Sequence, residues 1–232
     1  MEHSANNSRT WSRHVQNLAV MYDLETFLPN LSDSPPKHNI YKANILTKIT
    51  KYWESKLRKD AQNNSKMKFL NVNLIGLSGR CHPALSNITT TKQVSRMRPH
   101  IKMLCGDYYT YELKSKYQGG SPHCRLCGTE EKSIENIQHI LTTCLSYSDV
   151  RNRIISDMKN ILKNIDYIQC YETIFEDNLN LTQFILDCTS ANLPIRLNYS
   201  DKITSDIFEL SRGLCYSINK TRLYLLKDLE NK

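Results

Sequence analysis

The run SPHCRLCGTEEKSIENIQHILTTC, residues 121–144, constrains this chain more than any other stretch. Cys124 and Cys127 form a C-x2-C pair, His139 follows after eleven residues and Cys144 after four more. A C-x2-C turn sets two thiolates along one edge of a tetrahedron, and zinc takes four soft donors in that geometry. The second pair has to come from elsewhere, and SIENIQHILTTC supplies it. Ser133 is the expected N-cap of a helix whose buried stripe is Ile134, Ile137, Ile140 and Leu141. His139 then falls in the last turns, with Cys144 just past the C-terminus. Three thiolates and a neutral imidazole around Zn²⁺ leave a single net negative charge, which Arg125 is placed to offset in part. Four protein donors leave no open position for water, so the expected zinc is structural rather than catalytic. The rivals are four independent residues, with the cysteines acting as small buried apolar groups, or His123 as a ligand beside Cys124.

Charge is the second constraint. Residues 1–120 carry 18 Lys/Arg against 8 Asp/Glu, and residues 121–232 carry 13 against 15, so the whole basic excess precedes the cysteine cluster. Between Lys37 and Lys102 the count is 14 basic to 2 acidic, Glu54 and Asp60. An excess this concentrated faces a polyanion more readily than an anionic membrane, because each Lys or Arg near a phosphate releases condensed counterions. A merely solvated face is the bland alternative. The residues expected to contact nucleic acid are Lys51, Arg58 and Lys59 in one helix, Lys92, Arg96, Arg98 and Lys102 in another, and Arg125 in the metal turn. Tyr108, Tyr109, Tyr111 and Tyr117 follow the second set, and basic residues interleaved with aromatics suit nucleic acid whose bases can stack on rings. The same tyrosines also read as core.

Periodicity makes the fold mainly α, a helical bundle or array with a small Cys3His insertion near the middle. Helical spacing predicts helices over roughly 10–27, 41–57, 150–162, 181–188 and 203–225, with Thr89 or Thr90 capping another that Pro99 should kink or restart. Ser34 followed by Pro35 reads as a cap and first turn. With 40% hydrophobic residues among 232, the chain can bury a core. The expected division is a basic helical region over 1–120, a zinc-knuckle-like segment over 121–146 and a C-terminal helical region over 147–232. No apolar run approaches the roughly 18–20 residues that span a bilayer, and MEHSANNSRTWSRH lacks the apolar stretch of a secretory signal. The expectation is an intracellular protein of cytoplasm or nucleus, neither secreted nor membrane-bound. Its other cysteines (Cys105, Cys170, Cys188 and Cys215 on apolar stripes) should then be reduced core thiols.

The segment Ile101–Ile155 resembles the region that follows the polymerase core in reverse transcriptases of non-LTR retrotransposons. The matched pieces are Lys102-Met103-Leu104-Cys105-Gly106-Asp107, Cys124, Cys127, Gly128, His139, Cys144, Tyr147 and Arg151. GLSGRCHPALSNITTTKQVSRMRPHIKML upstream, and TQFILDCTSANLPIR and LSRGLCYSINKTRLYLL downstream, are also similar to tails of such elements, so the resemblance covers roughly residues 65–230. It implies a zinc-stabilised, nucleic-acid-binding tail that acts beside a polymerase domain on RNA or DNA. The departure from the family is equally plain. A polymerase palm needs paired aspartates to hold two Mg²⁺ ions, and the sequence contains no Asp-Asp pair. It also contains no P-loop, H-E-x-x-H or G-x-S-x-G motif, and His82, His100 and Asp107 are isolated polar residues without a nucleophile-base-orienter pattern. The chain therefore reads as non-catalytic, without a small-molecule substrate. The competing expectation is a protein-interaction module in which zinc only fixes the fold.

Overall fold

A computed structural model of the chain describes residues 3–24, 38–63, 65–74, 81–86, 88–127, 133–163, 168–190, 193–195, 197 and 202–231. The architecture is mainly α, with no strand among the described residues and a single isolated antiparallel bridge. In chain order the helices are α1 (His3–Met21), α2 (His38–Asn63), α3 (Thr91–Leu104), α4 (Tyr111–Gln118), α5 (Ser148–Lys163), α6 (Ile168–Phe175), α7 (Asn178–Leu186) and α8 (Lys202–Glu230). None is long and apolar enough to cross a membrane. The cap expected at Ser34–Pro35, and Gly128, fall outside the described residues.

The chain divides into two compact units, Met1–Asp60 and Ala61–Lys232. The expected boundaries at 120 and 146 do not coincide with that division, for a packing reason. α3 and α5 both pack on α8, and the Cys/His segment is tied to α8 by a buried ion pair, so 61–232 closes around one core. In the first unit, Tyr22 meets Tyr52 edge-on with centroids 5.1 Å apart, and Lys48 Nζ reaches the Asp23 carboxylate at 2.6 Å.

α8 is the spine of the second unit. Ile207, Phe208, Ser211, Leu214, Cys215, Ile218 and Arg222 recur at helical spacing and are all buried. Met103 and Leu104 of α3, Met158 and Leu162 of α5, and Phe184 and Ile185 of α7 complete the core. Each such side chain contributes roughly 1.5–3 kcal/mol on leaving water. α3 begins with a reciprocal capping box between Thr90 and Gln93, which satisfies two orphan N–H donors at once. It runs unbroken through Pro99 to Leu104, so the expected restart is absent; Pro99 and His100 are instead buried within the helix. The turn after α3 needs glycine. Gly106 has φ +65°, and a Cβ there would lie 2.4 Å from the Lys66 carbonyl oxygen. α4 and α6 are eight residues each, too short for periodicity to announce them.

A second polar node lies in this core. The Asp187 carboxylate accepts from Asn71 N–H (2.7 Å), the Thr189 hydroxyl (2.5 Å) and N–H (3.1 Å), and His82 Nε2 (3.1 Å). Burial alone would raise its pKa, but these donors together hold it below the ordinary carboxylate value. His82 Nδ1 accepts from Ala84 N–H at 3.2 Å, so both ring nitrogens are committed. His100 donates from Nε2 to the Leu186 carbonyl (2.9 Å), and burial lowers its pKa to about 4.

Candidate metal centre

The C-x2-C turn is pinned before the helix that follows it. Cys124 N–H donates to Ser133 O and Glu135 N–H to Pro122 O, both at 2.9 Å, which makes the bridge between His123 and Ile134. Ser133 is therefore not the helix cap: residues that close this bridge have to be extended. Asn136 takes the capping role, accepting His139 N–H on Oδ1 at 2.8 Å. The turn His139–Thr143 is of π type, closed by Cys144 N–H to His139 O at 2.8 Å. In a regular α-helix, residues five apart point about 140° away from each other. The wider π turn narrows that angle and brings His139 and Cys144 to one side.

The result is one cluster. Cys124, Cys127 and Cys144 Sγ and one ring nitrogen of His139 all lie within 4.8 Å of one another, close enough to hold a metal ion. Cys124 and Cys144 Sγ are 3.9 Å apart, and the cysteines are free. Two sulfurs sharing a tetrahedral zinc at about 2.3 Å each would be about 3.8 Å apart. His123 is not in the set, so the rival assignment drops out.

Local hydrogen bonding favours thiolates. N–H groups of Leu126 and Cys127 donate to Cys124, and that of Ser146 to Cys144. The bond between the two sulfurs pushes the Cys124 thiol up to about 12 and lowers that of Cys144. A bound cation would take the place of a thiol proton and reverse the Cys124 shift. Thr143 Oγ1 lies 3.0 Å from His139 Nδ1 and 3.4 Å from the His139 carbonyl. Accepting Nδ1–H and donating to the carbonyl, it leaves Nε2 as the ring's lone pair. The nearby Cys124 sulfur draws the imidazole pKa upward, yet among the described residues no group meets buried Nε2 at hydrogen-bond geometry. A buried nitrogen without a donor, aimed among three sulfurs, fits a metal ligand, and the four residues satisfy the zinc donor set.

The support around the cluster includes residues that spacing did not single out. Arg151 Nη1 donates to the Cys144 carbonyl at 2.8 Å from a buried position on α5, and Ser146 Oγ donates to Leu126 O at 2.6 Å. Arg125 lies over the Tyr111 ring, 5.1 Å from its centroid. Glu135 is fully buried and receives Arg222 Nη2 at 2.6 Å and Tyr111 N–H at 3.0 Å. Arg222 belongs to the half of the chain with more acidic than basic residues, and its burial against Glu135 is a pairing across 87 residues that no local pattern carries.

The other basic candidates are dispersed. Lys51 and Lys59 are exposed on α2, where Arg58 is half-buried, all within the first unit. Lys92 is exposed in the first turn of α3, and Arg96 pairs with Glu209 at 3.3 Å. Arg98 and Lys102 sit one helical turn apart, exposed, with no carboxylate partner among the described residues. Tyr108 is buried, Tyr109 and Tyr117 are 50% and 72% exposed, and Tyr111 lies between. No protein-family model, curated protein or solved structure matches the chain.

Proposed function

We propose that this chain is a zinc-braced, non-catalytic nucleic-acid-binding module, of the kind that follows the polymerase core in non-LTR retrotransposon reverse transcriptases. One observation carries the proposal: a Cys3His donor set, gathered closely enough to hold a metal ion, is anchored to α8, on which packs α3 with Arg98 and Lys102, cations that have no carboxylate partner among the described residues. Zn²⁺ held by Cys124, Cys127, His139 and Cys144 would cross-link the 121–146 segment and supply folding free energy rather than reactivity. The chain's own residues do the rest. Glu135 and Arg222 lock the segment to α8, and α8 carries α3 with its cations. Contacts of this kind position phosphate and carry no base sequence, so RNA and DNA should both bind. The absence of an Asp-Asp pair, and the committed or buried nitrogens of His82 and His100, support a non-catalytic reading.

Leu223 and Tyr224, 59% and 71% exposed on α8, favour the competing protein-interaction module. Metal stoichiometry together with RNA and DNA binding at rising salt separates the two. One zinc per chain is expected, with log affinity falling linearly in log salt. A chain that binds zinc and no nucleic acid leaves only the interaction module.

A further inference from the structure

We propose that the turn between α3 and α4 carries a binding track for single-stranded nucleic acid, with Tyr109 as its base-stacking platform. The inference rests on the nucleic-acid reading above and makes it specific. Two concavities lie against the turn and share Tyr108 as a wall. One, of about 210 Å³, is lined by Arg98, Lys102, Tyr109, Asn219 and Leu223 among others. The other, of about 300 Å³, is lined by Lys66, Lys68 and Lys116 together with Asn136 and Gln138 of the Cys/His segment.

Their chemistry is complementary. In the first, Arg98 and Lys102 face no carboxylate, and the guanidinium of Arg222 in its wall is already neutralised by Glu135. Tyr109 is half exposed yet anchored, since its hydroxyl donates to Gln118 Oε1 at 3.2 Å; no ring or cation covers its face among the described residues. Asn219 accepts the Tyr108 hydroxyl on Oδ1 at 3.0 Å, which leaves its amide nitrogen as an uncommitted donor. An anchored ring, two unpaired cations and an amide donor are the parts a splayed base and its phosphate require. The cavity falls short of the roughly 300 Å³ at which small-molecule sites begin, so it suits one base rather than a whole cofactor. In the second concavity the one lining carboxylate, Glu112, pairs with Lys116 at 3.0 Å, and Lys68 is exposed beside it. Lys68 suits a neighbouring phosphate of the same strand. A duplex keeps its bases stacked and cannot present one to Tyr109.

The test is fluorescence anisotropy on the full zinc-loaded chain with labelled oligothymidylate, oligouridylate and a duplex of equal length, each over a range of salt. Tyr109→Ala should weaken single-strand binding about ten-fold, the loss typical of one stacked base, with the salt slope unchanged. Tyr109→Phe should retain most of the affinity. Arg98→Gln with Lys102→Gln should flatten the single-strand slope by about 0.7 per lost contact. Duplex binding should respond to the charge change and not to Tyr109. Wild-type binding that is indifferent to Tyr109→Ala, or equal losses on duplex and single strand, overturns the track while leaving the nucleic-acid reading intact. A wild-type chain that binds neither oligomer overturns both. Unchanged thermal melting of the variants excludes misfolding, since each altered side chain is exposed.

Discussion

The Asp187 carboxylate and the Cys/His cluster are both buried polar nodes of the 61–232 unit, and they differ in the chemistry they gather. Asp187 finds all its partners in the chain: Asn71, His82 and Thr189 meet it across 116, 105 and 2 residues. At the cluster, backbone N–H groups reach the Cys124 and Cys144 sulfurs and Thr143 holds His139 Nδ1, while buried His139 Nε2 meets no hydrogen-bond partner among the described residues. A buried polar group costs free energy unless it is paired. A self-satisfied node is therefore a clamp, whereas three thiols and an imidazole gathered at metal-ligand distances form a candidate binding site. The two differ in what they answer to, one to the chain alone and the other to solution conditions.

The comparison breaks most visibly on metal removal. Zinc binding supplies on the order of 10 kcal/mol in sites of this kind. A strong chelator, or Cys127→Ala, should abolish hydrogen-exchange protection of the Cys124, Glu135 and Cys144 amides, and protease should cut within 121–146. Because Arg222 would lose its partner, the loosening should extend to that part of α8, while protection at Asp187 and along α7 stays. Unchanged exchange after chelation would remove the cluster from the binding class altogether.

Asp187→Ala should cost about 3–5 kcal/mol, since it leaves donors buried without their acceptor. Urea unfolding should show that loss with the metal site occupied. The pH dependence has a definite sign. The folded pKa of Asp187 is depressed, so its contribution is fully present above the unfolded carboxylate value of about 3.9 and is lost as pH falls through the folded value. The wild-type advantage over Asp187→Ala should hold from neutrality to about pH 4 and shrink below it. Zinc, which competes with protons for three thiolates, should leave at higher pH than that. If the Asp187 difference faded first, the assignment of roles would be reversed.

The smallest effect sharpens the contrast. Thr143→Val keeps the side-chain shape and removes the hydroxyl that orients His139. Losing such a partner should weaken metal affinity about 10–100-fold with little change in the loaded fold. A competitive titration against a chromophoric chelator reads it. Equal affinity would mean the π turn alone aims the imidazole.

What was legible in the sequence follows the range of the interaction. The donor set could be read because chemistry fixes its spacing, and α5 and α8 could be read because their stripes repeat over many turns. The start of α3 is a local signal: Thr89 or Thr90 was expected to cap it, and Thr90 does, with Gln93 completing a box that went unread. Ser133 misled because a good cap residue next to an apolar run looks like a helix start, and the bridge between His123 and Ile134 that overrides it is not a local pattern. Pro99 left a kink or a restart open, and the restart is absent: the cost of a proline in a helix is local, while the core that holds α3 together is not. The ties of Glu135 to Arg222 and of His82 to Asp187 join residues about a hundred positions apart, where no periodicity reaches. The break at residue 60 went unread because α2 runs across it.

The Glu135–Arg222 pair also has a consequence in time. During synthesis Glu135 is made 87 residues before its partner. At roughly 5–20 residues per second, about 4–17 s pass before Arg222 exists. All four metal donors lie at or before position 144, so they are complete early in that interval, while the carboxylate is still in water. A cation captured then would fold the segment before the helix destined to hold it has been made. The ion pair would close last, as a latch on a door already shut.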